Sequence, residues 1–176
     1  RPLGVQSAAF SELCPSITCE CGRIGDAAGV QRAAALIDAC LHMMELPNHM
    51  PPSSDFHLLH TVATLKIPPN CPIAFGSRDN GAELYFSQDL DHLNFRPLPP
   101  GTHFGFRRPG SNSRLAVLDQ NGVDVESDYF DLREDSFILQ RSIVPSMLTT
   151  NIQVIQDDCL GYFMEEFDLS SNIYQA

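Results

Sequence analysis

Residues 114–126 read RLAVLDQNGVDVE. An aliphatic run climbs to Asp119, and Asn121-Gly122 follows, a pair suited to the positive φ angles of a tight hairpin turn. The stretch predicts a strand over 114–119, a turn at 120–122 and a second strand near 123–126. Residues 72–86, PIAFGSRDNGAELYF, repeat the pattern: a strand at 72–76, RDNG at 78–81 and a strand at 82–86. Between these stretches, Pro99-Pro100-Gly101 and Pro109-Gly110 bracket a strand at 102–107. Upstream, TVATLKI at 61–67 is rich in β-branched residues and is stopped by Pro68 and Pro69. Downstream, SFILQ at 136–140 and NIQVIQ at 151–156 fit two more strands. Residues 158–168 fit either a last strand or a short helix. Strands joined by tight turns pair antiparallel.

The N-terminal third has another period. Residues 1–25 read as an extended, cysteine-containing arm, with Pro15 barring a continuous helix. Asp26 is placed to cap a helix. Val30, Ala33, Ala34, Ile37, Cys40, Leu41 and Met44 then recur with helical spacing until Pro47. This predicts an amphipathic helix over 26–46. Residues 47–55 form a loop, and His57–His60 read as a short helical turn capped by Ser54 or Asp55. The expected fold is α+β. One N-terminal amphipathic helix packs on a twisted antiparallel sheet or small open β-barrel, in a single domain over 1–176 whose β-rich body spans 57–168.

Composition narrows the function classes. The chain is 43% hydrophobic and 19% charged over 176 residues, enough apolar material for a packed core. No run of about 18 apolar residues occurs, so no membrane span is expected. A net charge of −11 repels phosphate backbones and argues against nucleic acid as a partner. The first residue is Arg1, which reads as a processed form or an excised fragment. Lys66 is the one lysine among eleven basic residues, a bias consistent with a need for planar, bidentate donors.

Six cysteines stand at 14, 19, 21, 40, 71 and 159. Cys14, Cys19 and Cys21 lie close enough to share a zinc ion, although a tetrahedral site needs a fourth ligand and no CxxC knuckle is present. Cys19 or Cys21, just ahead of the helix, could instead act as a nucleophile, with His57 or His60 as its base. On a helical turn His57 and His60 would share a face. The carboxylates crowded between Asp119 and Asp135 match no calcium loop and read as a solvated face. His103-Phe104-Gly105-Phe106-Arg107-Arg108 combines aromatic and guanidinium side chains, the residue types that anchor protein interfaces. No nucleotide-binding glycine motif and no serine-hydrolase elbow occurs.

Residues 115–139 look like the second half of the CIDE-N interaction modules in the order of Val117, Leu118, Gly122, Val125, Tyr129, Phe130, Leu132 and Phe137. Pro97, Pro99 and Pro100 stand where those modules carry a long helix, so no family is assigned. The leading expectation is a non-catalytic protein–protein interaction or structural subunit, with Phe104, Phe106, Arg107 and Arg108 as anchors. It would need no cofactor and would take a protein partner or a second copy of itself. The competing expectations are a small cysteine-dependent hydrolase or transferase with a Cys–His dyad, and a zinc-stabilised binding domain.

Overall fold

A computed structural model describes residues 9, 10, 13, 14, 16, 18, 19, 21, 27–45, 57–76 and 81–167. The expected caps at Asp26, Ser54 and Asp55, the stop at Pro47 and the loop at 47–55 lie outside these residues, as does Asn80. Two compact units make up the chain, Arg1–Pro52 and Ser53–Ala176.

In the first unit, helix α1 spans Ala27–His42. Its alanines and leucines favour helix, and His42 sits in the last turn with its Nδ1 2.8 Å from the Asp38 carbonyl oxygen. The apolar stripe predicted from periodicity is present, but its expected burial is not. Val30 is 71% exposed, Ile37 61%, Leu41 77% and Met44 93%, and the helix buries only Gly29. Periodicity marks a face as apolar; it does not say what covers it.

The described residues of the second unit form nine strands in two sheets. Sheet A runs β5 (Ala116–Leu118), β1 (Leu59–Lys66), β9 (Gly161–Glu166), β8 (Val144–Ser146), all antiparallel. Sheet B runs β2 (Ile73–Phe75), β3 (Leu84–Phe86), β4 (His103–Arg107), β7 (Ser136–Leu139), β6 (Phe130–Arg133). The α+β class therefore holds, with two sheets in place of one and no closed barrel. On β1, buried Ala63 and Leu65 are followed by exposed Lys66, the alternation of a half-buried strand.

One core serves both sheets. Leu65, Val117 and Phe163 from sheet A join Leu84, Phe104, Phe130, Phe137 and Leu139 from sheet B. Phe163 meets Phe104 at 5.7 Å and Phe130 at 5.8 Å between ring centroids, so aromatic contacts tie the sheets together. Gly105 lets β4 lie close to β3. A Cβ there would fall 2.8 Å from the Phe86 ring and 2.9 Å from the Tyr85 carbonyl oxygen.

Several local expectations are corrected. β2 and β3 pair parallel, with Ile73 opposite Leu84 and Phe75 opposite Phe86, and do not form the antiparallel hairpin predicted around residues 78–81. Both faces of this pair are covered. Ile73, Leu84 and Phe86 enter the main core, while Ala74 and Tyr85 pack with Ala82 and Phe106 on the other side. Such two-sided burial is usual for parallel strands.

The predicted turn at 120–122 exists, with Gly122 at φ +78°. Its second arm stops after one bridge, Leu118 to Asp124. The Asp124 carboxylate accepts the Val117 and Glu126 N–H groups, and the chain enters helical turn α2 (Glu126–Tyr129). Residues 151–156 do not make a strand. Asn151 caps a helix, α3 (Ile152–Asp157). The ambiguous segment after it is strand β9. His57 and His60 share no helical turn: His60 is on β1 and His57 precedes that strand.

Candidate functional site

Sheet B carries the predicted contact strand β4 and places its residues in different surroundings. Phe104 is 2% exposed and packs against Phe86, Phe130 and Phe163. A side chain so enclosed offers a partner no contact area. Phe106 is half-buried, its ring centroid 3.8 Å from that of His103. Arg107 donates from Nε to Asp135 Oδ1 at 2.7 Å, and Arg108 pairs with Glu83. The accessible part of this segment is thus His103, Phe106 and two guanidiniums, the latter each already matched by a carboxylate.

The Arg108–Glu83 pair leads into an open cavity of about 540 Å³, lined in part by Pro68, Glu83, Ser111, Ser113, Arg114 and Asp124. Its charges are engaged within the unit. Arg114 pairs with Glu126, whose side chain is only 6% exposed, and Asp124 holds two backbone N–H groups. A nearby thiol, Cys71, is buried, and its pKa is pushed up by that burial, with a Ser113 hydrogen bond opposing the shift. Cys159 is likewise raised by burial, against a hydrogen bond from Tyr162. Both thiols are held protonated, the form that is a poor nucleophile.

The remaining predicted groups are placed as follows. All six cysteines are free thiols; Cys14, Cys19 and Cys40 are exposed and Cys21 is half-buried. The Cys21 carbonyl oxygen accepts two hydrogen bonds from the Arg32 guanidinium, at 3.0 and 3.1 Å. Cys19 and Cys21 belong to the first unit, while His57 and His60 belong to the second. His57 is exposed, with Nδ1 3.6 Å from Glu166 Oε1, and the His60 ring meets Phe167 edge-on at 5.4 Å. Among the described residues, no group of three or more His, Cys, Asp or Glu side chains is placed to hold a metal ion.

Sequence reasoning missed the cavity. Its lining comes from a Ser-Asn-Ser-Arg stretch at 111–114, which reads as an ordinary polar loop, and from Glu83 and Asp124, distant in sequence. It also missed two exposed apolar residues in left-handed backbone, Phe95 at φ +60° and Met147 at φ +55°. Nothing in the residue types Phe and Met signals that conformation. Compared with protein-family models, curated proteins and solved structures, the chain matches none.

Proposed function

We propose that this chain is a non-catalytic protein–protein interaction module or structural subunit of a larger assembly. The uncovered apolar stripe of α1 carries the reading. Val30, Ile37 and Leu41 recur along one side of the helix, Met44 follows two residues past its end, and all four are more than half exposed. Burying one such side chain is worth about 1.5–3 kcal/mol, so a partner that covers the stripe gains substantially. Contiguous apolar exposure of this kind marks interaction surfaces. The half-buried Phe106 and the paired Arg107 and Arg108 form a further accessible segment at the exit of β4. The strong negative charge supports a protein partner over nucleic acid.

Size-exclusion chromatography with light scattering tests the reading, together with partner capture on the intact chain. Assembly or saturable partner binding that is lost in Ile37→Asp/Leu41→Asp supports it. A strict monomer that captures nothing counts against it.

A further inference from the structure

Phe95 and Met147 are spent in an unusual way. Each sits in the left-handed region, where a bulky side chain is disfavoured and glycine is at ease. Neither side chain recovers that cost by packing inside the protein, since Phe95 is 63% exposed and Met147 59%.

The backbone around them is firmly held. Residues 94–98 lie along the outer edge of β8. Leu98 and Ile143 exchange both backbone hydrogen bonds, at 2.8 and 3.1 Å, and the Phe95 N–H donates to the Pro145 carbonyl oxygen at 2.7 Å. The Asn94 side chain clamps Leu148 from both sides, accepting its N–H at 2.8 Å and donating to its carbonyl oxygen at 2.9 Å. Two apolar side chains are thus presented outward from facing stretches that are pinned together. Such local strain is found at contact sites whose surroundings over-determine it.

Charged residues of both signs neighbour Phe95 in the chain. Arg96 is exposed and makes no ion pair among the described residues. The 3-10 turn Leu90–Leu93 just before it carries Asp91, and Asp89 precedes that turn with a side chain 74% exposed. A two-fold contact needs one surface that complements itself. Here an apolar centre is flanked by a cation and by anions on the same short segment.

We infer that Phe95, Met147 and Arg96 form a contact surface for a second copy of this chain, related by a two-fold axis. Phe95 and Met147 of each copy bury one another, and Arg96 of each copy faces Asp89 or Asp91 of the other. This rests on the interaction reading above and names the partner.

The test compares the intact chain with Phe95→Gly/Met147→Gly by sedimentation equilibrium, up to about 100 µM protein, the range in which a micromolar dimer fills. Thermal melts of both are recorded alongside. Glycine suits the backbone at both positions, so the variant should keep its fold, and in melts at concentrations low enough for the wild type to be monomeric its Tm should not fall. The inference expects a wild-type dimer that the double glycine variant weakens about 100-fold or more. It further expects Arg96→Glu to weaken the dimer, and the added reversals Asp89→Arg/Asp91→Arg to restore it. A dimer that survives the glycine substitutions overturns the inference and leaves the proposed function standing. A wild-type monomer that binds a different protein does the same. A wild-type monomer that binds nothing overturns both.

Discussion

The side chain of Asn151 accepts the backbone N–H groups of Gln153 and Val154, at 3.1 and 3.3 Å. These are donors that a helix start would otherwise leave unsatisfied. One amide group thereby commits an Ile- and Val-containing stretch to helix α3, which then drops Ile155 into the core. Asn151→Ala should cost about 1 kcal/mol of stability, measured by urea unfolding. At Tyr162, a hydrogen bond to the Cys159 thiol, with burial, pushes the phenol up to about 12 from an ordinary 10.0. The folded pKa lies above the unfolded one. The contribution is therefore fully present below pH 10 and is lost as pH rises through about 12. Tyrosinate absorbance should show a last ionisation that disappears in Tyr162→Phe, and the variant's stability should fall less steeply across that window. Neither residue was legible beforehand. β-branched residues outweighed one asparagine in the reading of 151–156, and the phenol's partner is brought to it only by the bend into β9.

At the scale of elements, glycine-based turn signals were an uneven guide. Asn121-Gly122 does turn the chain, with the Asp119 carboxylate accepting the Asn121 and Val123 N–H groups at 2.8 and 2.9 Å. The Asn80-Gly81 signal predicted antiparallel partners where β2 and β3 run parallel. Among the described residues, the tightest hairpin has no glycine at all. β6 and β7 are joined by Glu134-Asp135, both with positive φ (47° and 63°), between the paired residues Arg133 and Ser136. Positive φ at both central positions is the requirement of a type I′ turn, which Asn and Gly meet far more readily. Read as sequence, 131–135 was a solvated acidic face and β6 was overlooked. Asp135 is held in its turn by the Arg107 guanidinium, a contact between positions remote in the chain. Glu134 is exposed and makes no ion pair among the described residues. Glu134→Asn should therefore stabilise the protein by about 0.5–1 kcal/mol, read as a higher urea midpoint with unchanged slope.

For the molecule as a whole, the α+β class, the amphipathic helix and strands β1, β4 and β7 were readable from periodicity and proline punctuation. The split into two sheets was not. It depends on which strands share an edge, and Leu65, Phe104 and Phe163 look alike in any sheet. Of the expected contact anchors, Phe106, Arg107 and Arg108 retain access to solvent, whereas Phe104 became the hub of the aromatic core. Alternation could have flagged Phe104 and Phe106 as sharing one face, but a bulge between His103 and Gly105 breaks that rule. Among the described residues, every buried apolar side chain of the core belongs to the stretch from Ala63 to Met164. A fragment spanning 53–176 should consequently fold without the first unit. It should give a cooperative thermal transition and a near-ultraviolet circular dichroism spectrum with fixed aromatic bands.

Among the described residues of the second unit, β1 is the first strand and β9 the last, and the two are hydrogen-bonded neighbours from Leu59 opposite Glu166 onward; the Phe167 N–H reaches back to the Leu58 carbonyl oxygen at 2.8 Å. The described β-body thus begins and ends at a single doorway. Such a body can be spliced into an exposed loop of a host protein as a cassette, its entry and exit spaced like the two ends of a loop it replaces, so that neither the graft nor the recipient has to stretch.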